Sequence, residues 1–175
     1  MRAWAKPVST GLMSIDQLFE RAHAVASLMI ARRETIAVAE SSSGGLISAA
    51  LLAVPGASAY YLGGGVIYTR RARHRLLGLR REDVVGLKSA SEPYAALLAG
   101  TVQKQFKATW GLAETGAAGP NGNPYGDAAG HCCLALAGTT MATRTLETGQ
   151  GDRLGNMVAF AAEALAMLEG QMLER

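Results

Sequence analysis

The stretch Thr35–Leu46, TIAVAESSSGGL, constrains the fold of this chain more than any other. Ile36, Ala37, Val38 and Ala39 form a short apolar run, the pattern of a strand buried on both faces. Glu40 then opens a cluster of three serines and two glycines, and Leu46–Val54 reads as an Ala- and Leu-rich helix that stops at Pro55-Gly56. Strand, small-residue turn and helix together place backbone N–H groups and hydroxyls at a helix N-terminus. Such a place suits an anion, or an oxygen that gains charge during a reaction. As local structure alone, the same residues are an N-cap serine followed by glycines that ease a tight turn.

The rest of the chain builds a layered domain around this stretch. Ile15–Arg33 carries Leu18, Phe19, Ala22, Val25, Ala26, Leu28 and Met29 at the 3.6-residue period of an amphipathic helix. Tyr60–Tyr68 reads as a second strand interrupted by Gly63-Gly64-Gly65, where glycines mark a bulge or a close approach by a ligand or another backbone. A basic helix, Thr69–Leu77, is closed by Gly78, and Arg80–Ser89 is a polar connection. Ser91-Glu92-Pro93 opens a helix that runs to about Lys107. Trp110–Thr115 is a strand leading into a glycine- and asparagine-rich loop that ends at Gly130. His131–Ala137 and Met141–Glu147 form a hairpin, and the last helix spans roughly Arg153–Glu169. Helices alternating with strands, plus one hairpin, predict a three-layer α/β/α sandwich with a mixed, mostly parallel central sheet.

Bulk properties narrow the class. With 175 residues, 49% of them apolar and 18% charged, the chain supports one domain with a full core, taken as residues 15–175. Met1–Ser14 reads as a flexible N-terminal extension. It lacks the continuous apolar stretch of a signal peptide, and no segment of the chain approaches the ~20 apolar residues of a membrane span. The two cysteines, Cys132 and Cys133, are adjacent and would point to opposite faces of a strand, so they do not pair with each other. A reduced, cytoplasmic protein without a metal site is expected, since no Cys/His spacing suggests zinc.

Chemistry is expected where strands end, because open α/β sheets bind ligands beyond the carboxyl ends of their strands. Three places qualify: Glu40–Gly45, Thr115–Gly130 and Tyr68. None is a Walker loop, and Gly116–Gly119 lacks dinucleotide-binding spacing. Arg70, Arg71, Arg73, Arg75, Arg80 and Arg81 form a basic cluster with no interleaved aromatic residues. With a net charge of only +3, this reads as a solvated helix face rather than a nucleic-acid surface. The histidines, His23, His74 and His131, have no Ser or Asp partner recognisable in sequence and are read as structural.

Five segments occur in an order and spacing that resemble one family: AESSSGGL (39–46), VPGAS (54–58), VIYTRRARHRLLGL (66–79), SASEPYA (89–95) and ETGAAGP (114–120). They look like the C-terminal domain of the competence/damage-inducible CinA proteins, which also occurs alone as nicotinamide-nucleotide amidohydrolase. The resemblance covers about Ile15–Glu169. It implies hydrolysis of the carboxamide of nicotinamide mononucleotide to nicotinic acid mononucleotide and ammonia, in pyridine-nucleotide salvage, with no cofactor or metal. By the same resemblance Ser41 is the nucleophile, and Tyr68 positions substrate or passes a proton. Ser43, Gly44 and Gly45 hold the oxyanion, Thr115, Gly116 and Gly119 shape the nucleotide pocket, and Arg153 meets the substrate phosphate. Apolar helix faces and family behaviour point to a homo-oligomer.

This sequence departs from the family at a position that matters. The lysine in the family's V-x-Y-S-N-x-x-K segment aligns with Arg73. A serine hydrolase without histidine commonly uses lysine as its base, whereas arginine stays charged and cannot accept the serine proton. Arg73 can therefore stabilise charge but not replace that base. Lys88, just before the SASE helix cap, is a candidate substitute if it reaches the pocket; otherwise it is a solvated surface lysine. Two readings follow: an active nicotinamide mononucleotide amidohydrolase, or a catalytically silent relative that binds a pyridine nucleotide or serves as an interaction domain.

Overall fold

The computed structural model describes residues 14–174, and within them five strands form one sheet. In chain order the elements are α1 (Ile15–Arg32), β1 (Ile36–Glu40), α2 (Leu46–Leu52), β2 (Tyr61–Val66), α3 (Arg70–Leu77), α4 (Glu92–Phe106), β3 (Trp110–Ala117), β4 (His131–Ala137), β5 (Met141–Glu147) and α5 (Arg153–Leu173). The first thirteen residues of the expected extension lie outside the described residues. Ser14, counted with that extension, caps α1: its hydroxyl accepts from Gln17 N–H while its own N–H donates to the Gln17 side chain.

Strand order is β2-β1-β3-β4-β5. Pairing is parallel where β1 lies between β2 and β3, and antiparallel from β3 to β4 and from β4 to β5. Helices cover both faces of the sheet, giving the three-layer α/β/α sandwich with a mixed sheet. The crossover from β1 to β2 carries α2 on one face, and the crossover from β2 to β3 carries α4 on the other. Order therefore reverses beside β1, the kind of place where α/β sheets open a crevice at strand ends.

The alternation along the strands sets the shape of the two layers. Ile36, Val38, Leu112, Leu134 and Leu136 face α1, α2 and α5, together with Trp110 and Phe160. The opposite face carries Ala37, Ala39, Ala113, Ala135 and Ala137, onto which Ala95, Leu98, Ala99 and Val102 of α4 pack. Small side chains on that face bring α4 very near the sheet; a Cβ on Gly111 would run into the Ala99 carbonyl. Cys132 and Cys133 fall in opposite layers and are both free thiols.

The three glycines of β2 do not break the strand, which pairs with β1 through Val66. The register shifts between Ile36 and Ala37, so Leu62 is bulged out. Gly64 has no room for a side chain because the Val38 carbonyl lies where its Cβ would be, and the Phe106 ring fills the same space at Gly63. The close approach is by backbone and core, not by ligand. Arg80–Ser89, expected as a polar connection, contains one short 3-10 turn at Glu82–Val84.

Candidate functional site

Two carboxylates, one at the end of β1 and one within β3, organise the serine turn. Glu40 and Glu114 are both fully buried, a costly placement for such groups unless hydrogen bonds satisfy them. Glu40 accepts from Ser43 Oγ (2.7 Å), Gly45 N–H (3.0 Å) and Ile47 N–H (3.1 Å) on one oxygen. Its other oxygen accepts from Ser48 N–H (3.0 Å) and Ser48 Oγ (2.6 Å). Glu114 accepts from Ser41 N–H (2.9 Å), Ser43 N–H (2.8 Å) and Ser43 Oγ (2.8 Å), and its second oxygen takes a very short bond from Ser42 Oγ. The single hydroxyl hydrogen of Ser43 cannot serve two carboxylates at once. A proton on Glu114 completes the second contact, and burial pushes the Glu114 pKa up in that direction, against its serine hydrogen bonds. Beside it, burial above all holds the Cys132 thiol well above its usual range.

This arrangement corrects part of the sequence-based expectation. The N-terminus of α2 already holds an anion, the side chain of Glu40. The N–H groups of Ser43 and Gly45 are engaged by the two glutamates, and that of Gly44 by the Ser41 carbonyl at 3.1 Å, so none of the three is free for an oxyanion. Ser43 is fully buried and its hydroxyl is directed at the carboxylates rather than at substrate. Gly44 and Gly45 instead supply left-handed backbone, with φ of 68° and 102°, which turns the chain into α2. Among the described residues, Ser42 keeps the one N–H of the turn without an acceptor. Ser41 itself is half-buried at the mouth of the turn.

The remaining candidates gather at the same edge of the sheet. Glu40 pairs with Val66, and Ile67 N–H reaches the Glu40 carbonyl, so Ser41 and Tyr68 leave neighbouring strand ends. Gly116 of β3 sits against Ser42: a Cβ there would lie 2.9 Å from the Ser42 hydroxyl. Thr115 is buried one residue earlier in β3. Arg153, in the first turn of α5, donates to the Gly119 carbonyl at 2.7 Å and to the Tyr68 hydroxyl at 3.4 Å. It thereby ties the second loop to the end of β2 across the crevice. Asn156 holds that loop from below, donating to the carbonyls of Ala118 and Gln150, both at 2.8 Å.

Arg73 is on α3, which packs against α4, and it lines a groove with Arg70, Lys88 and Tyr125. It is buried, with 7% of its surface exposed, and its Nε has no hydrogen-bond partner among the described residues. Lys88 does not stand free as a base: its ammonium pairs with Asp127 at 2.6 Å. That aspartate belongs to a loop folded on Asn123, whose side chain donates to Asp127 at 2.8 Å and accepts from Tyr125 and Asp127 N–H. Tyr125 at the loop tip lies beside Ser89 and Arg70, which hold its phenol below the usual pKa.

His131 is structural, at the foot of this loop. Its two ring nitrogens face the Glu147 carboxylate and, at 2.9 Å, the Ala90 carbonyl. Both partners only accept, so the doubly protonated ring satisfies the geometry. Burial lowers its pKa, but the hydrogen bonds to Glu147 and Ala90 and the charges of Glu147 and Asp127 outweigh it, leaving the folded value above the ordinary 6.5. The stability this contributes is fully present below 6.5 and is lost as pH rises through the higher folded value. Urea midpoints measured from pH 6 to pH 9 are therefore expected to fall across this window in the native protein. The fall should flatten in Glu147→Gln; an unchanged slope would mean the imidazolium is not what joins β4 to β5.

Among the described residues no cluster of three or more His, Cys, Asp and Glu is placed to hold a metal, and no helix is long and apolar enough to cross a membrane. The Glu40–Glu114 pair went unread in sequence as the organiser of the turn. Its signal was a charged residue closing or interrupting an apolar run in AVAE and GLAET.

Comparison with known proteins identifies the family and the fold. The sequence profile of the CinA C-terminal domain matches residues 19–172. A CinA-like protein of Desulforapulum autotrophicum is 35% identical over 150 residues, covering 85% of this chain and 36% of that protein. A CinA-like protein of Chlorobium phaeobacteroides is 38% identical over 166 residues, covering 91% of this chain and 38% of that protein. The chain thus spans well under half the length of these relatives. Among solved structures, a competence-damaged protein (CinA) superfamily member from Klebsiella pneumoniae superposes with a TM-score of 0.84 at 26% identity, covering 90% of this chain and 99% of that one. A competence/damage-inducible protein from Agrobacterium tumefaciens gives 0.79 at 28% identity, covering 86% and 93%. With the profile matched along nearly its whole length and the fold shared, this chain belongs to the CinA C-terminal domain family.

Proposed function

We propose that this chain is a serine amidohydrolase that cleaves the carboxamide of nicotinamide mononucleotide. The observation that carries the reading is the position of Ser41. It stands half-buried at the reversal point of the sheet, its own N–H fixed by Glu114, with the unengaged N–H of Ser42 next to it. An oxyanion donor from the residue after the nucleophile is a recurring arrangement in serine hydrolases.

In this reading Ser41 Oγ attacks the amide carbon and its proton moves toward the leaving nitrogen, with the Tyr68 hydroxyl as relay. The carbonyl oxygen becomes an oxyanion that accepts from Ser42 N–H. The C–N bond breaks, ammonia leaves, and an ester to Ser41 remains. Water adds to that ester, and loss of Ser41 frees the carboxylic acid. Arg153, held by Gly119 and close to Tyr68, offers its remaining N–H groups to the substrate phosphate, while Thr115, Gly116 and Gly119 shape the wall of the pocket. No cofactor is required. Cytoplasmic pyridine-nucleotide salvage and a homo-oligomeric assembly accompany the reading.

A second reading, a silent relative that binds a pyridine nucleotide or acts as an interaction domain, is favoured by Arg73 itself, a cation that cannot take a proton. Ammonia release from nicotinamide mononucleotide separates the two. Native turnover is expected to fall at least a thousandfold in Ser41→Ala. Turnover retained in the variant would remove Ser41 from the chemistry. Nucleotide binding with no turnover in the native protein would select the silent reading.

A further inference from the structure

Beside the crevice, α3 and the segment that follows it enclose a groove of about 1020 Å³. Arg70, Arg71, Arg75 and Arg81 line it as exposed side chains, and Arg73 is the one buried cation among them. Local acids offset only part of this charge. Arg80 lies 3.9 Å from Glu82 and from Asp83, and Lys88 pairs with Asp127. No ion pair is found for Arg70, Arg71, Arg73, Arg75 or Arg81 among the described residues.

Burying a guanidinium without a partner is expensive, and arginine cannot relieve the cost by losing its proton. For Arg73 part of that cost stands in the chain alone, since its enclosed Nε has no acceptor. An anion with several oxygens would meet Arg73 where it lines the groove and spread over the neighbouring exposed forks, which match phosphate geometry. A phosphomonoester carries at most two charges, fewer than the five arginines that stand uncompensated. The Tyr125 phenol, beside Arg70 and Ser89, adds a polar group to the lining.

We infer that this groove is a binding site for a pyrophosphate or triphosphate group, such as a nucleoside polyphosphate or a dinucleotide presents, separate from the Arg153 site. It does not depend on the amidohydrolase reading, because the probe contains no amide and does not involve Ser41.

Titration calorimetry with inorganic pyrophosphate tests it on the full chain. Pyrophosphate is expected to bind at least tenfold more tightly than orthophosphate. Arg73→Met should weaken binding at least tenfold and Arg81→Ala about threefold to tenfold. Lys104→Ala, at an exposed position on α4, and Ser41→Ala should bind as the native protein does. Circular dichroism confirms that Arg73→Met is folded; if it is not, the exposed Arg81→Ala and Arg71→Ala variants carry the test. Equal binding of pyrophosphate and orthophosphate, or native affinity in the arginine variants, overturns the inference. So does a single-stranded RNA that binds the groove more tightly than pyrophosphate and displaces it, which would make the surface a nucleic-acid site. A nucleoside triphosphate that binds tighter than pyrophosphate supports it and identifies a nucleotide as the source of the group.

Discussion

Glu40→Ala is expected to cost about 3–5 kcal/mol of folding stability, a large share of the ~5–15 kcal/mol typical of a domain. The side chain is fully buried and accepts five hydrogen bonds, three from the backbone of the turn and first turn of α2 and two from serine hydroxyls. Removing it leaves the N–H groups of Gly45, Ile47 and Ser48 facing a space with no acceptor. Each buried donor so orphaned costs about 1–3 kcal/mol, and re-entry of water recovers part of that. Glu40→Gln keeps the shape but turns an amide N–H₂ toward donors, so about 2 kcal/mol is expected. Urea unfolding followed by circular dichroism measures both. A Glu40→Ala midpoint equal to that of the native protein would show that the turn holds its shape without the carboxylate.

That expectation also marks where sequence reading ended. The strands and helices were legible because their apolar periods are long and their ends carry ordinary signals: Ser91 with Pro93, Gly78 after Leu77, and Gly138-Thr139-Thr140 between β4 and β5. The alternation of Cys132 and Cys133 between layers followed from the period of a strand. The inside of the site was less legible, because its determinants are tertiary. Glu114 lies 73 residues from Ser41 in sequence, yet it fixes that residue's backbone. A glycine-serine turn before a helix looks like a vacant anion site until the end of the preceding strand is known to supply the anion. Likewise Gly63 and Gly64 face the Phe106 ring and the Val38 carbonyl, a choice between backbone and ligand that spacing could not make. Arg73 was singled out by alignment to a lysine; its burial without a partner emerged only from the packing of α3.

The second large effect concerns that residue. Arg73→Lys is expected to raise the rate of ammonia release from nicotinamide mononucleotide by about a hundredfold or more, the usual contribution of a positioned general base. The position is already desolvated, and burial disfavours the charged form of a lysine, so the substituted amine sheds its proton far more readily than a guanidinium can. The shorter head group would occupy the space of the Arg73 Nε, which no neighbouring acceptor claims. In the amidohydrolase reading proposed above, a base at this position gives the proton of Ser41 a destination other than the Tyr68 relay, and the step limited by nucleophile activation speeds up. The gain should appear in kcat with little change in KM, because the interaction is made in the transition state. It should also vanish when combined with Ser41→Ala. A folded Arg73→Lys variant that stays at the native rate would place the limiting proton transfer elsewhere and turn attention to Tyr68 and Arg153, whose side chains already meet across the crevice.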